Sequence, residues 1–239
     1  MIKTRVIPLL LLQDGLLKKP VAFRNPRTVA NPISIVRVFE ARQVDELMLL
    51  DIGCGPQHKN VNPDIVRMIA EELTVPFACG GGVSSLEQAS QLISAGAEKV
   101  VINSTAVERP NLIGEISERY GRQCLVVSVD ALQGEDGTYE VFTRNGSHPT
   151  GRSVVEWVQE AECRGAGEIL LNSIKRDGTM EGYDVPLIRL VCDAVRIPVI
   201  AAGGAGDTAH FAPAILEGHA AAVAAGSIFH YTKTTPDMV

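Results

Sequence analysis

Val75-Pro-Phe-Ala-Cys-Gly-Gly-Gly-Val83 returns 122 residues later as Ile197-Pro-Val-Ile-Ala-Ala-Gly-Gly-Ala205, and this echo decides the fold. In both copies a short apolar run, opened by a proline, ends in a glycine pair. An apolar run with no polar alternation reads as a strand buried on both faces, which is how strands of a covered parallel sheet look. The register extends outward. Pro76, Gly81, Gly82 and Gly96 fall on Pro198, Gly203, Gly204 and Gly218, and Glu46-Leu-Met-Leu-Leu-Asp-Ile52 falls on Glu168-Ile-Leu-Leu-Asn-Ser-Ile174. Two glycine pairs and a strand in one register make the chain a tandem copy of one half-barrel unit.

Beyond the echo, short aliphatic runs alternate with segments of helical period from end to end. Strands are predicted at 6–11, 47–52, 75–79, 99–103, 125–130, 168–172, 198–201 and 221–225. Helices are predicted at 33–42, 63–72, 86–95, 110–120, 154–164, 185–194 and 208–217. Asn31-Pro32, Asn62-Pro63 and Pro110 put proline near a first helical turn, while Ser85 and Ser153 are placed to cap. Eight strands joined by helices predict an α/β chain closed into a (β/α)8 barrel, one unit spanning 1–239 rather than two domains. A doubly wound open sheet is the alternative, but its G-x-G-x-x-G after the first strand is absent. The stretch 138–150, with Asn145-Gly146, breaks the rhythm and predicts a hairpin after the fifth strand. Only 12 residues follow Ser227 (239 − 227), so the last helix reads as shortened, leaving apolar surface of the eighth strand and the seventh helix for something else to cover.

Composition sets the outer limits. With 22 Lys+Arg against 28 Asp+Glu the net charge is −6, and no basic run exists to displace counterions, so a nucleic-acid partner is not expected. The start, Met1-Ile-Lys-Thr-Arg-Val-Ile-Pro-Leu-Leu-Leu-Leu, puts two cations before an apolar run, yet Gln13-Asp14-Gly15 follows with no small-residue cleavage site. It reads as a buried first strand, and no later run approaches a membrane span. Cys54, Cys79, Cys124, Cys163 and Cys192 are odd in number and widely spaced, as idle thiols of a reducing cytoplasm would be. His58, His148, His210, His219 and His230 are scattered and read as surface or loop residues, so no metal and no cofactor are expected.

Chemistry gathers at the strand ends. Gly80-Gly81-Gly82 and Gly203-Gly204-Ala205-Gly206 follow the third and seventh strands; Asn103 ends the fourth, Ser104-Thr105 follow it, and Gly226-Ser227 follow the eighth. Glycine lets backbone N–H groups close on an anion, and the last two loops of a barrel often hold phosphate. Because the halves repeat, two such sites face one mouth, which fits a small molecule with two phosphates. Asp130 ends the fifth strand and would put a carboxylate at the catalytic face. Its counterpart in the first half, 119 residues earlier, is Leu11, which moves no protons. Asp177-Gly178-Thr179 follow the sixth strand. Lys18 and Lys19, in the long segment after the first, either reach an anionic substrate from a mobile lid or stand as solvated surface lysines. At the opposite ends Arg5, Glu46, Lys99 and Glu168 open their strands, two cations and two anions able to close a ring at the barrel floor.

Arg5-Val-Ile-Pro, Leu50-Asp-Ile, Gly80-Gly-Gly-Val, Lys99-Val-Val-Ile-Asn, Val127-Ser-Val-Asp130, Gly165-Ala-Gly-Glu-Ile-Leu-Leu, Arg176-Asp-Gly-Thr and Gly203-Gly-Ala-Gly carry a resemblance along nearly the whole chain. The chain resembles the cyclase subunit of imidazole glycerol phosphate synthase, a (β/α)8 barrel of histidine biosynthesis. The resemblance implies a glutaminase on the N-terminal face, whose ammonia passes the gate of Arg5, Glu46, Lys99 and Glu168 into the barrel. It also implies that Gly82, Asn103, Asp177, Gly178, Thr179, Gly203, Gly204, Gly226 and Ser227 surround two phosphates; Ser104 and Lys19 join them as binding candidates from their places in the loops. Asp130 becomes one of two catalytic aspartates, and Leu11 stands where the other belongs. Asn172 and Ala202 replace hydroxyls usual in the family. An intact gate beside a changed reacting centre is similar to cyclase paralogues of surface-polysaccharide loci. From that likeness ammonia delivery to a separate sugar amidotransferase is expected, with a working cytoplasmic cyclase as the alternative.

Overall fold

The computed structural model describes residues 4–54 and 60–239; His58 and residues 1–3 lie outside the described residues. The strands are β1 (Arg5–Gln13), β2 (Leu16–Val21), β3 (Arg24–Ala30), β4 (Leu47–Asp51), β5 (Phe77–Gly80), β6 (Lys99–Ile102), β7 (Leu125–Gln133), β8 (Tyr139–Thr143), β9 (His148–Ser153), β10 (Glu168–Ser173), β11 (Val199–Ala202) and β12 (Ala222–Ala225). The helices are α1 (Pro32–Ala41), α2 (Pro63–Ala70), α3 (Leu86–Ser94), α4 (Ser104–Glu108), α5 (Asn111–Tyr120), α6 (Val154–Arg164), α7 (Val185–Cys192), α8 (Phe211–Leu216) and α9 (Ser227–Tyr231).

Eight of the strands close into a parallel barrel in the order β1-β4-β5-β6-β7-β10-β11-β12, with β12 hydrogen-bonded back to β1. Closure leaves no barrel edge unpaired. It also sorts the apolar side chains into two bodies. Ile7, Leu9 and Leu11 of β1 point inward and meet Met48, Ala78, Val101, Val126, Leu170, Ile200, Ala202, Ala222 and Ala224 in the barrel interior. Val6, Leu10 and Leu12 point outward and join the larger layer between strands and helices. Period-two alternation is thus present within runs that look uniformly apolar, because both faces are buried. Each fully buried aliphatic side chain contributes about 1.5–3 kcal/mol, so this shared burial, rather than helix propensity, holds the ring.

The helix starts follow their caps. The side chains of Asn31, Asn62 and Ser85 accept from the backbone N–H of Ile33, Asp64 and Gln88, and Asp184 does the same for Leu187. Ser153 makes no side-chain cap: its position is taken up by extended backbone pairing β9 with β8. The segment predicted as one helix at 208–217 splits into a 3₁₀ turn at Thr208–His210 and α8. The eighth strand is not left bare. All four residues of β12 are buried, Ala222 and Ala224 in the barrel interior and Val223 and Ala225 in the outer layer, where α8 meets the strand and Ile228 and Phe229 join the same core. No helix among the described residues is long and apolar enough to cross a membrane.

Each half opens with a nine-residue strand that leads into an antiparallel hairpin. After β1 come β2 and β3, with Leu11 opposite Lys18 and Gln13 opposite Leu16. After β7 come β8 and β9, with Asp130 opposite Phe142 and Gln133 opposite Tyr139. The second hairpin is the one predicted around 138–150; the first replaces an expected mobile segment with paired strands.

Candidate active site

A cavity of about 350 Å³ opens at the C-terminal ends of the barrel strands. Its wall carries Leu9, Leu11, Asp51, Gly81, Gly82, Asn103, Ser104, Asp130, Asn172 and Asp177. Carboxylates from three strands or strand ends thus share one half-apolar chamber, the usual composition of a small-molecule site.

Asp130 is 5% exposed and held from both sides. Asn172 Nδ2 donates to Oδ1 at 3.1 Å, and Asn103 Nδ2 donates to Oδ2 at 3.0 Å. Burial pushes the carboxyl up to about 7; the two amide donors pull it back and the charge of Asp177 adds to the rise. A carboxyl balanced near neutrality suits proton transfer in either direction. Leu11 occupies the corresponding place on β1, four strands away around the ring of eight and therefore opposite. It is buried in the barrel's inner cluster and presents only hydrocarbon to the cavity.

Asp51, at the end of β4, escapes the sequence reading because its run, Leu47 to Ile52, looks like an ordinary strand end. Its Oδ1 accepts from the Gly53 backbone N–H at 2.9 Å. Burial raises its carboxyl above its ordinary value, against hydrogen bonds from Cys54 and Gly53, and Asp14 adds a like charge. The available signal was positional: an acid at the C-terminal end of a barrel strand.

The predicted phosphate loops divide. Gly82, Asn103 and Ser104 line the cavity, whereas Gly203, Gly204, Gly226, Ser227, Gly178 and Thr179 do not. Strand β2 accounts for much of this difference. Pro20 and Val21 lie against Gly178, and the Ala22 N–H donates to Asp177 O at 2.8 Å. Lys19, expected on a mobile lid, is buried on β2, with Nζ 3.3 Å from Asp177 Oδ1 and against Gly226. Its neighbour Lys18 turns outward and donates to Thr28 at 2.8 Å. Asp177 Oδ2 is buried without a partner among the described residues, an acceptor facing into this group. Ser227 is buried and Thr179 closes its own turn by donating to Arg176 O. His230, expected on the surface, sits on α9 at 6.5 Å from the Phe39 ring; burial, with Lys19 nearby, lowers it to about 4.

The second hairpin reaches over the opposite rim. The Arg144 N–H donates to Ser104 Oγ at 2.9 Å, and Asn145 Nδ2 donates to Ile52 O at 2.8 Å. Both hairpins therefore touch loops of the other half.

At the barrel floor the four charges form a closed ring. Arg5 donates to Glu46 at 2.5 Å and to Glu168 at 2.7 Å; Lys99 Nζ reaches Glu46 at 3.0 Å and Glu168 at 3.0 Å. Burial works against the Arg5 charge, but Glu168 and Glu46 outweigh it and hold the guanidinium above its ordinary value. Alternating signs let each ion satisfy two neighbours, the condition under which buried ions are tolerated. Among the described residues, no group of three or more His, Cys, Asp or Glu is arranged to hold a metal ion.

A sequence profile of the histidine biosynthesis protein family matches residues 5–235. The chain is also 48% identical over 227 residues to the imidazole glycerol phosphate synthase subunit HisF of Streptomyces coelicolor, covering 95% of this chain and 90% of that protein.

Proposed function

The chain belongs to the histidine biosynthesis protein family, and from that premise we propose that it is the ammonia-using barrel subunit of an imidazole glycerol phosphate synthase, with a glutaminase on its N-terminal face. The observation that carries the reading is the closed ring of Arg5, Glu46, Lys99 and Glu168 beneath the inner cluster that ends at Asp130. Ammonia is small and neutral, whereas ammonium is charged. An apolar interior above an ionic floor admits the first at far lower cost than the second. Delivery along the axis keeps ammonia unprotonated until it meets the substrate.

At the mouth, the substrate of the cyclase reading is a phosphoribulosyl-formimino carboxamide ribotide, converted with ammonia to imidazole glycerol phosphate. One phosphate rests on the loops holding Gly82, Asn103 and Ser104; the other takes those holding Gly178, Thr179, Gly203, Gly204, Gly226 and Ser227, with Lys19 as the cation beside it, once β2 moves off Gly178. Asp130 exchanges protons with the reacting atoms. The 48% identity along nearly the whole chain supports this reading over the paralogue expected from the sequence.

Leu11 favours a second reading, in which ammonia goes to the amination of a surface-polysaccharide sugar by a separate amidotransferase. A pair of acid–base groups reduced to one loses several powers of ten in rate. The deciding experiment supplies the purified chain with the ribotide and an ammonium salt, then with its glutaminase and glutamine. Formation of imidazole glycerol phosphate in both supports the cyclase. Glutamine hydrolysis without imidazole product rejects it in favour of the second reading.

A further inference from the structure

Condensing ammonia with the ketone of a ribulosyl chain forms a C=N bond and breaks the C=O bond; the oxygen leaves as water carrying two hydrogens from nitrogen. One group must take a proton from nitrogen while another gives one to oxygen. Asp130 is one such group, and the strand opposite lines the cavity with Leu9, Leu11 and Gln13, none of which exchanges protons. The neighbouring strand offers more. In the β1–β4 pairing Leu11 faces Leu50 and Leu12 faces Asp51, so Asp51 stands one strand over and one residue nearer the mouth than Leu11. That is a displacement of roughly 5 Å sideways and 3 Å upward. Asp51 lines the same cavity as Leu11 and Asp130.

Its position is built rather than incidental. Gly81 has φ +128°, and a side chain there would come within 2.8 Å of Asp51 Cβ and 2.5 Å of its carbonyl oxygen. The glycine makes room for the Asp51 backbone and Cβ, while the Gly53 N–H fixes one carboxyl oxygen at 2.9 Å. Resting on the cyclase reading, we infer that Asp51 is the second acid–base group of the site, giving a proton to the departing oxygen while Asp130 takes one from nitrogen. Two carboxyls in unlike surroundings, one clamped by two side-chain amides and one held by Gly53 and Cys54, divide the two roles.

The test measures ammonium-dependent imidazole formation by the full chain, by Asp51→Asn, by Leu11→Asp and by the double variant. Asn keeps an oxygen for the Gly53 N–H, so the loop stays in place, and unfolding midpoints verify this. Asp51→Asn is expected to lower kcat by about 100-fold or more, with KM for the ribotide nearly unchanged, and to remove one limb of the pH–rate profile. Adding Leu11→Asp to that variant is expected to restore about tenfold or more, since a carboxylate returns one strand away. Asp51→Asn turning over at the wild-type rate overturns the proposal and leaves the cyclase reading standing. A fall in kcat that Leu11→Asp does not relieve, with the pH profile intact, also overturns it, marking Asp51 as structural. A wild-type chain that forms no product overturns both.

Discussion

Asn172 Nδ2 donates to Asp130 Oδ1 across 3.1 Å, and this bond eases the release of a proton that burial otherwise holds on the carboxyl. Asn103 supplies the only other side-chain amide on Asp130 among the described residues, and the two amides together pull against burial. A hydrogen bond to a charged group is worth about 1.5–3 kcal/mol, which converts to roughly one to two pH units. Asn172→Ala is therefore expected to raise the Asp130 midpoint by that amount. Carboxyl-carbon NMR of the two proteins, with Asp130→Asn to assign the signal, checks it; an unmoved midpoint means that water replaces the amide without loss.

The same carboxyl ties stability to pH. Its folded value, about 7, lies above the ordinary 3.8, so the folded chain holds a proton that the unfolded chain has released. The stabilising contribution is therefore full below about pH 4 and is lost as pH rises through about 7. Asp130→Asn removes the titration. Urea unfolding at pH 5 and pH 8 is expected to show the variant gaining on the wild type by a few kcal/mol at the higher pH, on the order of 1.4 kcal/mol per pH unit crossed. An equal difference at both values contradicts the assignment.

At the floor, Lys99→Met is expected to destabilise more than a surface charge deletion would. Glu46 has a side chain 1% exposed and would keep only Arg5 as a partner. Removing one member of a buried ion pair typically costs about 3–5 kcal/mol, whereas an exposed pair contributes about 0–1 kcal/mol. Arg67, paired with Asp64 on the surface of α2, gives the comparison: Arg67→Met is expected to cost little. In the complex with glutaminase, Lys99→Met is also expected to uncouple glutamine hydrolysis from product formation. Unchanged stability and coupling together would show that the ring does neither.

The barrel could be read from the chain because its strands are local apolar runs and its halves repeat, so eight strands and most helix starts stand within a few residues of expectation. The charged ring was legible for a similar reason: Arg5, Glu46, Lys99 and Glu168 each sit at or just before a strand's first residue, where side chains converge on one floor. The β2–β3 hairpin was missed although its signal was present. Asp14-Gly15 lies between apolar runs, and both residues have positive φ, 53° and 74°, as a two-residue hairpin turn demands. Ala22 and Phe23, at φ 47° and 62°, make the second turn with residues that give no warning. That hairpin buries Lys19, so the lysine's partner, Asp177, was out of reach of any local pattern. The clamp on Asp130 was equally hidden, because Asn103, Asp130 and Asn172 come from the ends of three different barrel strands and meet only when the ring closes.

Gly178 connects this missed hairpin to the mouth, and replacing it separates strain from contact. Its φ is +72°, and a Cβ there would strike the Pro20 carbonyl oxygen and lie 3.0 Å from Val21 Cα. Gly137, at φ +82°, has nothing within 4 Å of the same position. An alanine in left-handed backbone costs about 1–2 kcal/mol wherever it stands. Gly137→Ala is expected to show that cost alone. Gly178→Ala must in addition push β2 away from Asp177, which breaks the Ala22-to-Asp177 backbone bond and draws Lys19 from its 3.3 Å contact. Hydrogen exchange should then accelerate across Leu16–Val21 and Arg24–Ala30 in Gly178→Ala and stay slow there in Gly137→Ala. Equal exchange in both variants would mean that the hairpin is held by its pairing with β1 rather than by its seat on Gly178.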